Sequence, residues 1–390
     1  MEMKEKALKL HEEWGGKIDT APKCEVKSSE DLALAYTPGV AEPCKVIAED
    51  REAVYRYTMK ANTVAVVTDG SAVLGLGNIG PEAAMPVMEG KAVLFREFGG
   101  VNAFPICLDT QDTDEIIETV VRIAPGFGGI NLEDISAPRC FRIEQELKKR
   151  LHIPVFHDDQ HGTAIVVLSG IINALKIVKK PVEECRIVVN GSGAAGIAIS
   201  KLLLRYGFKH LILCDSAGIV HRDSDRLNDV KREMLTVTNL DNKKGKLVDA
   251  MVGSDIFIGV SAPGVVTQEM VRSMNRDAIL FAMANPVPEI MPDLAKQAGA
   301  RVIGTGRSDF PNQVNNVLAF PGLFRGALEG RAEQITEEMK LAAAKAIASL
   351  IDEKDLDEDH IIPEAFDPRV SDVVSAAVKD NITETNIGKI

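Results

Sequence analysis

Arg186-Ile187-Val188-Val189-Asn190-Gly191-Ser192-Gly193-Ala194-Ala195-Gly196 decides the fold of the second half of this 390-residue chain. Ile187 to Val189 is a β-branched run that reads as a buried strand, and the glycines follow it at once. Ile197 to Tyr206 is rich in alanine and leucine with no breaker, which predicts a helix. Leu211-Ile212-Leu213-Cys214-Asp215 reads as the next strand and ends in an acid 19 residues after Gly196. Strand, G-x-G-x-x-G, helix, strand and terminal acid form the complete βαβ setting of a dinucleotide-binding fold. Gly191 permits the tight turn, Gly193 lets a pyrophosphate approach the backbone, and Gly196 lets helix and strand pack closely. Ser192, Ala194 and Ala195 complete the loop at the helix N-terminus, where an anion is favoured. Asp215 is placed to hydrogen-bond adenosine ribose hydroxyls and to repel a 2′-phosphate, so NAD is expected over NADP.

Working outward, Asp255 to Val260, Ala278 to Met283 and Arg301 to Gly304 read as further strands of the same sheet. Ser261-Ala262-Pro263-Gly264 and Asn285-Pro286 follow the first two, where loops line a cofactor crevice. Asn312-Gln313-Val314-Asn315-Asn316 is dense in amides and reads as a polar turn or a substrate-binding cluster. Helices over 333–351 and from about 369 end the chain.

Upstream, Pro154-Val155-Phe156-His157-Asp158-Asp159-Gln160-His161-Gly162-Thr163-Ala164 sets two carboxylates between two histidines. Thr163 to Val178 is apolar nearly all round, the pattern of a helix buried between layers. A second acid pair stands in Ile130-Asn131-Leu132-Glu133-Asp134-Ile135, with a helix expected from Pro138 to Arg150 between the two. Parallel strands joined by a helix end at one edge, so four carboxylates would converge there. Such a cluster repels itself unless protonated or neutralised, and oxygen ligands suit Mg²⁺ or Mn²⁺. His157 and His161 have the i, i+4 spacing of a zinc helix. Position 158 is Asp rather than the Glu of H-E-x-x-H, however, and the segment reads as a loop, which speaks against zinc.

Thr63 to Thr68 is a β-branched buried strand. Gly75-Leu76-Gly77-Asn78-Ile79-Gly80 is a literal G-x-G-x-x-G, but the strand ends well before it and Pro81 follows. It reads as a glycine-rich turn that lets backbone pass close to something. Lys91, beside an apolar run, is either a snorkelling surface lysine or an amine whose pKa is lowered by its surroundings. Tyr36, before Thr37-Pro38-Gly39, either packs on that turn or is an active-site phenol.

The net charge of −12 disfavours nucleic acid or an anionic membrane as the main partner. No apolar run reaches the ~18 residues of a membrane span, and the charged start, Met1 to Lys6, shows no secretory signal. Six scattered cysteines without C-x-x-C spacing read as reduced, mostly buried thiols, so a cytoplasmic location is expected.

Ala-Tyr-Thr-Pro-Gly-Val (35–40), Thr-Asp-Gly-Ser-Ala-Val-Leu-Gly-Leu-Gly-Asn-Ile-Gly (68–80), Glu-Gly-Lys-Ala (89–92), Asn-Leu-Glu-Asp (131–134), Phe-His-Asp-Asp-Gln-His-Gly-Thr-Ala (156–164), Ala-Asn-Pro (284–286) and Asn-Asn-Val-Leu-Ala-Phe-Pro-Gly (315–322) occur in this order. Together they closely resemble malic enzyme in its short, prokaryotic-type form, from about residue 15 to 380. The resemblance implies oxidative decarboxylation of malate to pyruvate and CO₂ with NAD, or NADP, and Mg²⁺ or Mn²⁺. It implies Glu133, Asp134 and Asp159 as metal ligands and Lys91 as the base for the C2 hydroxyl. Asp158 would tune that lysine, Tyr36 would protonate C3, and Asn285, Asn315 and Asn316 would hold substrate and nicotinamide ribose. The long eukaryotic form has an arginine shortly after the Asp-Gly turn that helps to bind a malate carboxylate. This chain, with Val73 there, has none, so amides or the Gly75–Gly80 backbone would serve.

The expected architecture is α/β. Residues 1–159 form an N-terminal substrate and metal domain with a small parallel sheet, 160–310 a doubly wound Rossmann-type NAD domain, and 311–390 C-terminal helices closing the active site. A homodimer or higher homo-oligomer is expected. Two rivals share the scaffold: a malolactic-type enzyme that retains NAD through the cycle, and a non-catalytic NAD-binding sensor.

Overall fold

The structure, a computed structural model, describes residues 3–73 and 75–388. Three helices open the chain: α1 (Met3–Trp14), α2 (Ser29–Ala35) and α3 (Ala41–Glu49). None of them buries a side chain. Ser28 caps α2 by accepting from the Asp31 N–H at 3.1 Å.

The first sheet is parallel, with β1 (Thr63–Thr68), β2 (Asn102–Cys107), β3 (Gly129–Leu132) and β4 (Val155–His157) in the order β2-β1-β3-β4. Its two faces are both covered, which is why β1 is buried throughout and its centre, Val64 to Val67, is a continuous apolar run rather than alternating. Val64 and Val66 point into the large core shared with the second sheet. Ala65 and Val67 point into a smaller one. Helix α4 (Pro81–Gly99) returns the chain from β1 to β2, and α5 (Thr113–Ile123) and α6 (Arg139–Arg150) cover the smaller core.

Helix α7 (Asp158–Val178) joins the two halves. Its start corrects the sequence reading: Asp158 to His161 are the first helical turn, not a loop, and the expected boundary at 159/160 falls inside that turn. Two acids in the first turn of a long helix are stabilised by its positive N-terminal end. By length and composition α7 could cross a membrane, against the expectation that no segment would, but 67% of its apolar window is buried inside the fold.

The second sheet runs β10-β9-β8-β5-β6-β7, with β5 (Arg186–Asn190), β6 (His210–Asp215), β7 (Gly218–Ile219), β8 (Ile256–Gly259), β9 (Ala278–Ala282) and β10 (Ala300–Thr305). Only the short β7 is antiparallel. Helix α8 (Ala194–Tyr206) follows β5, and begins inside the glycine loop. The order reverses at β5, with β6 on one side and β8 on the other, so the crevice opens above Gly191 to Gly196. The C-terminal helices α9 (Phe320–Glu329), α10 (Glu337–Ala348) and α11 (Arg369–Lys379) pack back on the shared core. The cysteines divide: Cys140, Cys185 and Cys214 are buried, whereas Cys24 and Cys44 are exposed, so the expectation of mostly buried thiols holds for half.

Candidate active site

The two acid pairs do converge. β3 and β4 are neighbours with Leu132 opposite His157, so Glu133-Asp134 and Asp158-Asp159 leave the sheet side by side. Backbone bonds carry the ladder into the acids: Glu133 N–H donates to Val67 O at 2.9 Å and Ala72 N–H to Asp134 O at 2.9 Å. Asp134 holds a left-handed φ of 55°, a conformation Asp tolerates better than most residues. Its N–H donates to Asp159 Oδ2 at 2.8 Å.

One oxygen each of Glu133, Asp134 and Asp159 lies within 4.8 Å of the others. Burial raises the Glu133 and Asp159 carboxyls, and the neighbouring acids add to the rise against the opposing Lys91 charge. This packed set of hard oxygen donors fits a divalent cation, whose charge would relieve the repulsion. The histidines stay outside it. His161 Nε2 meets Glu144 Oε1 at 2.7 Å, and Lys340 Nζ donates to His161 Nδ1 at 3.2 Å. His161 is pulled down to about 4, by burial first, and is neutral. Zinc binding by His157 and His161 has no support in this geometry.

Lys91 is not a snorkelling surface residue. Its side chain is 10% exposed, with Nζ 2.7 Å from Asp158 Oδ2 and 2.8 Å from Glu133 Oε1. Beneath it lies the Phe320 ring, 4.3 Å from Nζ. Burial would lower its pKa, but the Asp158 and Glu133 charges outweigh burial and raise it above the usual lysine value. Asp158 is held in turn by Asn316, whose Nδ2 donates to Asp158 Oδ2 at 3.0 Å while its Oδ1 accepts from Thr163 at 3.0 Å. Asn316 therefore supports the lysine's partner. Asn315 caps the next turn, accepting from Val317 N–H at 3.0 Å.

The turn from Gly70 to Gly80 closes on itself, with Ile79 and Gly80 N–H both donating to Gly70 O. A Cβ on Gly75 would lie 3.9 Å from Asn285 O, so this turn brings backbone up to the exposed Asn285 of the second sheet. It is not a nucleotide loop.

Gly191 to Gly196 has the geometry of one. Gly191 has φ 117° and a Cβ there would overlap Val260 O; a Cβ on Gly196 would overlap Gly191 O. A Cβ on Gly193 would meet nothing within 4 Å, which leaves open the space a pyrophosphate needs. Beside the loop a cavity of about 570 Å³ is lined by Asn190, Ser192, Asp215, Lys246 and Ser261. This cradle fits a dinucleotide. The Asp215 carboxylate is already engaged, by Lys231 Nζ at 2.6 Å and Ala217 N–H at 2.8 Å. Its charge is therefore largely offset, a feature the sequence reading lacked.

Tyr36 is not brought to this cluster within the chain: it is 67% exposed at the end of α2. Sequence reasoning missed three supporting residues. Arg139 Nη2 donates to Asp69 Oδ2 at 2.8 Å and Ser71 Oγ at 2.9 Å, fixing the turn after β1. Glu289, fully buried, accepts from the Ser261 N–H and hydroxyl and from Ala284 N–H, tying together the loops after β8 and β9. Phe320 floors the lysine. Glu289 alone had a usable signal, an acid inside the apolar stretch Ala284 to Ile290.

A doubly wound dinucleotide fold joined through one core helix to a domain that holds a buried lysine and a carboxylate cluster defines a nicotinamide-dependent oxidoreductase. The chain belongs to the malic enzyme family. Residues 15–148 match the family's N-terminal domain and 160–384 its NAD-binding domain. It is 60% identical to the bifunctional malic/malolactic enzyme of Bacillus subtilis over 391 residues, covering 100% of this chain and 95% of the relative. It is also 60% identical to the NAD-dependent malic enzyme of Geobacillus stearothermophilus, over 96% of this chain and 78% of the relative. More distant relatives are named NADP-dependent malic enzymes. The crystal structure of the NAD-dependent malic enzyme of Thermotoga maritima superposes with a TM-score of 0.93 at 51% identity, covering 96% of this chain and 98% of that one.

Proposed function

We propose that this chain converts malate to pyruvate and CO₂ with reduction of a nicotinamide cofactor. The observation that carries this reading is Lys91 held between Asp158 and Glu133, beside the three-acid cluster. Lys91 takes the C2 hydroxyl proton as a hydride leaves C2 for the nicotinamide ring. In the resulting 3-carboxy ketone the C3–C4 bond breaks, CO₂ leaves, and the bonding pair forms an enolate. Tyr36 supplies the proton that C3 then takes.

Glu133, Asp134 and Asp159 would hold a divalent cation, which supplies Lewis-acid polarisation of the C2 oxygen. With Glu133 committed there, Lys91 loses one of the two carboxylates that hold its proton, and its affinity for that proton falls toward what a base requires. Asn285 and Asn315 face substrate and nicotinamide ribose, and Asn316 keeps Asp158 in place. Residues 1–159 serve as substrate and metal domain, 160–310 as nucleotide domain, and 311–390 as the segment that closes the site through Phe320. NAD is the preferred nucleotide, and the Asp215–Lys231 pair leaves NADP usable.

The malolactic reading is the second, favoured by the double name of the Bacillus subtilis relative. One assay separates the two: malate and Mn²⁺ with NAD⁺ or NADP⁺. Net reduced nucleotide with stoichiometric pyruvate supports malic enzyme chemistry, lactate without net reduction supports the malolactic cycle, and nucleotide binding without turnover would sink both.

A further inference from the structure

The first turn of α7 carries both Asp158 and Asp159, yet little in it is self-supporting. Its N-cap residue, His157, makes no side-chain capping bond. Gly162, just beyond the turn, weakens a helix by ~1 kcal/mol relative to alanine. Gln160, 3% exposed, has an Nε2 that finds no hydrogen-bond partner among the described residues. A cavity of about 170 Å³ lies on this side of the turn, lined by Glu144, Lys148, Gln160, His161 and Lys340 among others. Close packing therefore does not hold the turn there.

What holds it is a chain of charged groups that meets the helix at His161, on the same face as Asp158 at i, i+3. His161 Nε2 donates to Glu144 Oε1 at 2.7 Å and Nδ1 accepts from Lys340 Nζ at 3.2 Å, so the ring cannot turn without breaking both bonds. Glu144 stands on α6 and also accepts from Lys148 Nζ at 2.6 Å. Lys340 stands on α10 and also donates to Glu337. Glu144 is 5% exposed and Lys340 2%. Buried ions add little stability over apolar side chains of the same shape, and their bonds are directional where apolar contacts are not.

We propose that Glu144 and Lys340 are positioning residues. Gripping His161 from α6 and from α10, they set the first turn of α7, and with it Asp159 in the three-acid cluster and Asp158 against Lys91. Loss of a group that orients a metal ligand typically lowers metal affinity or activity by ~10–100-fold. The inference rests on the roles proposed above for Asp158 and Asp159.

Glu144→Leu, Glu144→Gln and Lys340→Met chains are purified at full length beside wild type. Mn²⁺ and NAD⁺ binding are titrated calorimetrically, malate turnover is measured at saturating Mn²⁺, and urea midpoints are recorded. Positioning requires Glu144→Leu and Lys340→Met to bind Mn²⁺ ~10-fold more weakly and to lose ~10-fold or more in kcat, with the NAD⁺ Kd unchanged. Glu144→Gln keeps an acceptor for His161 and should recover most of both. Lower urea midpoints with wild-type Mn²⁺ affinity and kcat would make the brace purely structural and overturn the proposal. Glu144→Gln as impaired as Glu144→Leu would overturn it too, because charge rather than placement would then matter. A wild-type chain that binds Mn²⁺ without turning over malate would sink the proposed function instead, and the Mn²⁺ titrations would still decide whether the brace sets the acids. If Glu144→Leu does not fold, Lys340→Met beside Glu144→Gln carries the comparison.

Discussion

Gly162 follows Asp158 by one turn of α7, and a Cβ there would overlap Asp158 Oδ1. The glycine lets the carboxylate lie back against its own helix, where it meets Lys91. Gly162→Ala should displace Asp158 and with it the amine, lowering kcat by ~100-fold, the scale of a misplacement of about 1 Å. NAD affinity should be unchanged, because the glycine loop is on α8; steady-state kinetics beside NAD titration reads both. Asp215 offers a second test. Asp215→Ser removes the acid and leaves the Lys231 ammonium without its partner near the ribose. The ratio of kcat/KM for NAD⁺ over NADP⁺ should narrow by ~10-fold, about 1.4 kcal/mol; an unchanged ratio would assign cofactor choice to other residues.

Helix α7 is both the first turn of the site and the axis of the core. Its acids were legible in the sequence as a cluster, since two strand-like runs ending in acid pairs must share an edge. Their helical state was not: His-Asp-Asp-Gln-His lacks any apolar period, and only the buried stretch beyond Gly162 announces the helix. Fourteen of its residues are buried, Asp158 among them. Ile171 lies at its centre, fully buried in the core that joins the two sheets. Ile171→Ala should cost about 2–5 kcal/mol, read as a lower urea midpoint with unchanged m. A loss below about 1 kcal/mol, small for a core truncation, would mean that the helix is not the packing axis described.

At the scale of the whole molecule, Lys60 shows how the first sheet is tied to the loops around it. It is buried, and its Nζ donates to Ala124 O at 3.1 Å and Phe127 O at 2.6 Å. Burial, reinforced by Arg331 and opposed by Glu52, lowers its pKa to about 8. The unfolded chain then binds more protons than the folded one between about pH 8 and the ordinary lysine value near 10.4, so folding gains stability as pH rises through that window. Wild type should gain ~1 kcal/mol on Lys60→Met between pH 8 and 10, after allowing for solvent screening; parallel denaturation curves at the two pH values check it.

The βαβ unit at 186–215, the β-branched strands and the convergence of two acid pairs were determined by the sequence alone, because periodicity, glycine spacing and parallel topology are local or nearly local constraints. Three matters were decided only by tertiary structure. Lys91 could be a surface or a buried amine until Phe320, 229 positions later, closed beneath it. Asp215 read as a bare acid until α-helical Lys231 folded over it. Tyr36 read as a site residue, yet its own chain leaves it in solvent. Each depends on groups far apart in sequence, and no local pattern encodes which of them will meet.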